Sequence, residues 1–437
     1  MTSRERILRV LNHKIPDRVP IHDVVWDSTI KRWQKEGLPE DLSPAEFFDF
    51  EIATFNADLT PRFPVKILEK NEEFIISTTP FGGQRKNYRD YSTTPEIIDW
   101  PIKSKEDWKE IKKRLAPDMT RINWAAGLQA NKTSYEAGKF LCFDCATGYD
   151  ALQYYMKSEQ ILIAMAEDPD WIKEMLTTLS ELAVVTADLM LNNGFKFDAL
   201  FNYNDMGYRN GLLFSPETYK KTHYDADLLL YEYFHSKGMK TILHSCGDVT
   251  EIIPTLIEVG LDCIQPLEVK SGINMLALKE KFGDRLSFMG GIDVRVMSDS
   301  DPKKIEEEIK RKFEIVKSNG GYIYHSDHSI PKNVSFQQYC RVIELVKQYG
   351  VYPEYEKILA EEKLQPEEDT SGTSKKDVKK KRQKRERKSK KPSTKVPEKV
   401  AQPKAPAKNG ALVADKNGDK PEKPEQKKFK LPFGKKK

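Results

Sequence analysis

His244 and Cys246, in the run Thr-Ile-Leu-His-Ser-Cys-Gly-Asp, place an imidazole and a thiol two residues apart. In an extended strand such residues leave the same side, so both groups would aim at one point. The stretch 240–243 is strand-like and Gly247 breaks it, which sets the pair at a strand's C-terminal lip. Nitrogen and sulfur converging there suit zinc, and a thiol bound to zinc is deprotonated at neutral pH and becomes a nucleophile. The same spacing also describes a buried histidine beside a small apolar cysteine, so the weight falls on what else reaches that lip.

The elements that must position the pair can be read from periodicity. Eight short apolar runs, at 18–22, 52–58, 139–145, 197–203, 240–244, 261–266, 286–290 and 321–325, alternate with helical patterns. Helix starts are marked by Ser43-Pro44-Ala45-Glu46, Asp168-Pro169, Ser215-Pro216 and Asp301-Pro302, each a capping side chain followed by proline. Alternation of strand and helix implies right-handed crossovers and parallel pairing, and eight such units close on themselves. The spacing therefore predicts an α/β chain folded as a (β/α)8 TIM barrel. A doubly wound open sheet fits less well, because no Gly-x-Gly-x-x-Gly follows the first run and no phosphate-cradling Gly-Lys-Ser/Thr loop is present. Residues 72–100 read as a β-hairpin inserted after strand two, and the first helix, 3–13, precedes any strand and is placed at the barrel floor.

In such a barrel the reactive groups come from the loops after each strand's C-terminal end. That rim gathers His22, Asp58, Cys145, Asp205, His244, Cys246, Gln265, Glu268, Gly291, His325 and His328, with four of the chain's seven histidines among them. His244, Cys246 and His328 are the expected metal ligands, which requires the three side chains to share one ion. The other reading of His328 is a metal-free one, capping a helix or touching substrate. Asp58 and Asp205 are the expected catalytic carboxylates, as proton relays, partners of the metal histidines or ligands themselves; the alternative for both is helix capping. Met-Gly-Tyr-Arg-Asn-Gly delays any helix after Asp205 and argues against capping there. His22, Cys145, Gln265, Glu268, Gly291 and His325 are expected to face the substrate. Cys142 and Cys263, inside strands, read as core residues, and Asp293 as a turn residue.

Charge divides the chain. Residues 365–437 carry 25 Lys/Arg against 10 Asp/Glu, a net of +15, whereas the other 364 residues carry 47 basic and 57 acidic side chains, a net of −10. The acidic body, 1–364, is expected to be the barrel domain. The tail, 365–437, whose aromatics are Phe429 and Phe433, lacks the apolar surface to offset ordering entropy and is expected to be disordered. Nucleic acid or anionic surfaces would bind it without sequence preference, and its removal should leave catalysis unchanged. Five cysteines, an odd number in a long chain, argue against a disulfide framework. With charges where a signal peptide needs an apolar stretch and no run long enough to span a bilayer, the expected location is the cytoplasm.

Four stretches carry a family resemblance: the opening Arg-Glu-Arg-Ile-Leu-Arg-Val-Leu-Asn-His-Lys-Ile-Pro-Asp-Arg-Val-Pro-Ile, Leu-His-Ser-Cys-Gly at 243–247, Phe-Met-Gly-Gly-Ile-Asp at 288–293, and Ser-Asp-His-Ser-Ile-Pro at 326–331. With these, residues 1–350 resemble the uroporphyrinogen decarboxylase superfamily, and within it the cobalamin-linked branch that includes methylcobamide:coenzyme M methyltransferase. The resemblance implies zinc held by an H-x-C pair and a later cysteine, a thiol acceptor activated by that zinc, and a corrinoid or corrinoid protein as methyl carrier. His244 and Cys246 match the first two ligands; His328 stands where the branch has cysteine, and is a residue type that decarboxylases carry there. Decarboxylases also bear arginines just after the first strand, where this chain reads His22-Asp23-Val24-Val25-Trp26-Asp27, and Asp58 falls where their catalytic aspartate sits. The expected function is therefore zinc-dependent methyl transfer between a corrinoid and a small donor or acceptor. The alternatives are uroporphyrinogen decarboxylation and a non-catalytic barrel that binds a corrinoid or tetrapyrrole.

Overall fold

Parallel strands run in chain order around a curled sheet: β1 (Ile52–Phe55), β2 (Phe140–Ala146), β3 (Ala199–Tyr203), β4 (Lys240–His244), β5 (Cys263–Gln265), β6 (Ser287–Met289) and β7 (Tyr322–Ile323), each hydrogen-bonded to the next. The structure, a computed structural model, describes residues 1–89 and 95–364, and residues Met1–Leu359 form one compact unit. The Lys-rich tail expected from 365 onward lies outside the described residues.

The first expected strand, 18–22, is not a ladder strand. Proline at 20 has no N–H to give, so the segment makes single contacts instead. His22 N–H donates to the Tyr324 carbonyl, and the Glu51 amide donates to the Ile21 carbonyl, so 20–22 touches the β7 side and the β1 side at once. Glu51 strengthens this seam, because its fully buried carboxylate accepts from Ile21 N (2.8 Å) and pairs with Arg6 and Arg18, each at 2.6 Å.

Inward-facing residues alternate along the strands, as the pleat demands. Phe140 and Cys142, Ala199 and Phe201, Ile242, Cys263, Met289 and Ile323 form one buried cluster with Ile7, Val10 and Leu11 of the helix Ser3–Leu11. That helix packs against one end of the curled sheet, as its position ahead of all strands suggested. Residues further along the same inward rows are polar: Asp144, Tyr203, His244, Gln265 and His325. The inward rows are thus apolar at one end and polar at the other, and the change of polarity marks the mouth.

Helices pack outside, and the cap-then-proline signals hold: Ser43, Asp168, Ser215 and Asp301 each accept a backbone N–H from the first turn of their helices. Among the described residues no helix is long and apolar enough to cross a membrane. The insertion after β1 is larger than the expected hairpin. Ile67–Lys70, Phe74–Thr78, Gln84–Tyr88 and Glu96–Asp99 form a four-stranded antiparallel sheet, and its outermost strand, exposed at every residue, has no alternation from which to be read.

One buried acid in the outer helices gives a test of the packing. Asp227 accepts a hydrogen bond from Tyr219 Oη (2.6 Å), and burial pushes its carboxyl up to about 7. A folded-state value above the unfolded one means the folded chain holds the proton more tightly, so stability falls as pH rises from about 4 to about 7. Asp227→Asn is expected to melt higher than the wild type at pH 8 and to converge with it near pH 4; equal melting at both would contradict this burial.

Candidate functional site

His244 ends β4, and Cys246 follows two residues later. His244 Nε2 lies 3.4 Å from Cys246 Sγ and 3.5 Å from Asp205 Oδ1. The three ligating atoms lie within 4.8 Å of one another, and this is the group of metal-ligating type found among the described residues.

Two loops create the convergence. Asn204 N–H donates to the His244 carbonyl, Met206 N–H to Ser245 Oγ, and Asp248 N–H to the Tyr208 carbonyl, so the segment after β3 runs against the segment after β4. Glycine is required on both sides, since a Cβ on Gly247 would stand 2.2 Å from Gly207 C, and one on Gly207 would stand 2.6 Å from the Cys246 carbonyl oxygen. With the backbones this close, Asp205 Oδ1 accepts the Cys246 amide at 2.7 Å and its carboxylate is set beside the imidazole.

The far nitrogen of His244 is held as a metal histidine's would be. Gln265 Oε1 lies 2.5 Å from His244 Nδ1, Gln265 Nε2 lies 3.2 Å from His325 Nε2, and His325 Nδ1 lies 2.7 Å from the Ser326 carbonyl. Only one tautomer pair satisfies this chain: His325 donates from Nδ1 and accepts at Nε2, and His244 donates from Nδ1. His244 Nε2 is then a bare lone pair facing Cys246 and Asp205. Asp23, buried under hydroxyl donors from Tyr339 (2.9 Å) and Ser326 (2.5 Å), lies 3.5 Å from His325 Nδ1 and anchors the row.

Protonation follows burial. Desolvation lowers the His244 value against the opposing pull of Asp205, which keeps the imidazole neutral. Burial first, then Asp205 and Glu268, push the Cys246 thiol well up, so without a cation the sulfur keeps its proton. Asp150, beside Asp205, is raised to about 6 by burial and by that neighbour. An N, S and O donor set with the histidine pre-oriented fits a tetrahedral divalent ion with one open position.

His328 does not belong to this group. Its ring packs 5.8 Å from Trp26, with Nδ1 3.1 Å from the Ser329 carbonyl. Asp205 stands where His328 was expected. Asp58 is also elsewhere: Thr60 donates to it from backbone and hydroxyl, and Arg62 pairs with it at 3.0 Å, which outweighs burial and holds its carboxyl below the usual range. Glu268 is committed to the loop, accepting from Gly247 N–H (2.9 Å) and Ser271 Oγ (2.6 Å). Gly291 packs against Met275, whose sulfur would lie 2.6 Å from an added Cβ. His22 is half-buried and neutral, drawn down to about 3 by desolvation and then by His325. Cys145 borders a cavity outside the triad together with Asp58. Asp293, expected in a turn, caps the helix Val294–Met297.

Residues that strand-end reasoning missed lie on helices and on the insertion. Asp150, Tyr154 and Tyr155 follow the short turn after β2, and Phe81 comes from the inserted sheet. A rule that reads only strand lips does not reach them.

The fold and the site define an α/β enzyme-family architecture with its polar groups at the strand ends. The family model described as uroporphyrinogen decarboxylase (URO-D) matches residues 92–349, more than half the chain, and the protein belongs to that family. Among solved structures it is similar to a methyltransferase from Methanosarcina mazei, with 16% identity and a TM-score of 0.57, over 80% of this chain and 99% of that one. A putative vitamin-B12-independent methionine synthase from Listeria monocytogenes matches at 14% identity and a TM-score of 0.34, over 76% of this chain and 96% of that one. No curated protein matches it.

Proposed function

We propose that this chain is a zinc-dependent methyltransferase of the URO-D family that moves a methyl group between a corrinoid and a small acceptor at the mouth of a closed (β/α)8 barrel. The observation that carries the reading is the convergence of His244 Nε2, Cys246 Sγ and Asp205 Oδ1, with the opposite face of the imidazole fixed by Gln265. Those three residues would hold the ion, and the ion when bound supplies the Lewis acidity that keeps a thiol acceptor ionised at neutral pH. The chain's own part is positional. Gln265 fixes the tautomer of His244, Asp205 holds the Cys246 amide, and Glu268 holds the Gly247 amide, so the donor atoms keep their places before any ion arrives. Barrel closure rests on the 20–22 segment and Glu51, and likeness in fold to a methyltransferase supports the reaction class.

Decarboxylation of a tetrapyrrole fits the site less well. The stretch after Pro20 has no arginine to meet substrate carboxylates, and Asp58 already faces Arg62. The deciding assay follows loss of methylcobalamin absorbance in the presence of a small thiol. Turnover that stops on chelation and returns with zinc is expected; turnover indifferent to chelator, or decarboxylation of uroporphyrinogen in its presence, would overturn the proposal.

A further inference from the structure

A cavity of about 470 Å3 opens between the loop after β1, the end of β2 and the turn that follows it, with Phe81 of the inserted sheet on its rim. Its size lies within the range of small-molecule sites, roughly 300–1,000 Å3. Asp144 reaches it from the end of the inward row Phe140, Cys142, Asp144. Among the described residues its carboxylate has neither a hydrogen bond nor an ion pair, and burial alone lifts it to about 6.

The other charges at this cavity cancel. Arg62 pairs with Asp58 (3.0 Å) and Asp118 (3.1 Å). Arg121 is committed to the carbonyls of Ala116, Asp58, Thr60 and Arg114. Of the charged residues that line the cavity, Arg121 and Asp58 offset each other, and Asp144 is the charge left over. A carboxylate withdrawn from water without a partner is costly, and a ligand that brings a positive charge removes the cost. The walls suit such a ligand. Phe81 and Tyr154 are stacked at 4.6 Å, and Tyr155 meets Phe81 edge-on at 5.3 Å, so a cluster of aromatic rings lines the same cavity as the acid.

We propose that this cavity binds a small organic cation, an alkylated ammonium, with the Asp144 carboxylate as counter-charge and the Phe81 and Tyr154 rings as cation–π partners. The claim goes beyond the methyl-transfer reading and does not depend on it. Tyr203, whose ring lies 5.0 Å from His244, stands in the strand between β2 and β4, and ligand binding here needs no metal.

Titration calorimetry of the full chain, freed of metal by chelator, tests it with tetramethylammonium chloride as probe and 2,2-dimethylpropan-1-ol as a neutral ligand of similar size. Saturable binding of the cation is expected, weakened roughly tenfold or more in Asp144→Asn and reduced in Phe81→Leu, with little effect of Asp144→Asn on the alcohol. Absence of saturable binding in the wild type, or equal affinity for the cation in wild type and Asp144→Asn, overturns the proposal. Two variants on different elements keep the test decisive if one of them misfolds, and loss of zinc-dependent turnover elsewhere in the barrel leaves this result untouched.

Discussion

Cys246→Ser is expected to reduce zinc-dependent methyl transfer by more than the roughly 10–100-fold that loss of a supporting hydrogen bond costs at a metal site, because it removes a ligand atom itself. A hydroxyl at this depth does not ionise for the metal as a thiol does, and only two donor groups, His244 and Asp205, would remain. The fold should survive. The Asp205 contact uses the backbone amide of residue 246, and Glu268 grips the next amide, so both restraints on the loop persist in the serine chain. Steady-state turnover beside a thermal melt separates the outcomes: low turnover with an unchanged melt is expected, and near-normal turnover would remove Cys246 from the reaction.

Glu51→Ala is expected to have the largest effect on stability, a loss of about 3–5 kcal/mol, the usual result of breaking a buried ion pair from one side. Its carboxylate is fully buried and serves three donors at once: Arg6, itself 7% exposed, Arg18 and the Ile21 amide. Removing it leaves Asp17, at 2.6 Å, as the carboxylate facing the buried Arg6 charge, and strips the side-chain support from a segment that bridges the β7 side and the β1 side, leaving its backbone bonds alone to hold it. Denaturant midpoints measure the loss. A variant that unfolds with the wild type would mean that the seam contributes little.

The strand order was legible because it follows from alternation alone. Each inward row, such as Phe140, Cys142 and Asp144, shows its period in the residues themselves, and the strands pair in chain order. The first run misled because its apolar residues suit a strand while Pro20 denies it a ladder. The inserted sheet hid its size behind Ile67–Lys70, which is exposed throughout and carries no periodic signal.

At the site, His244 and Cys246 were legible because both belong to one strand end and local geometry fixes their relation. The third member was not. Whether Asp205 or His328 reaches the pair depends on how the loops lie against each other, and that shows in a Gly207–Gly247 backbone contact between segments 40 residues apart in sequence and in the packing of the His328 ring against Trp26. Spacing contains neither fact. Asp144 ends an inward row whose period is legible, but its isolation from any cation emerges only when Arg62 and Arg121 are seen to be engaged elsewhere.

Metal content of the purified chain tests the account most directly. Measured by elemental mass spectrometry after growth with zinc, the wild type should retain about one equivalent of zinc per chain, and His244→Ala, folded to the same extent, should retain almost none. A well-folded wild type that holds no zinc, or a His244→Ala chain that holds as much as the wild type, would contradict it.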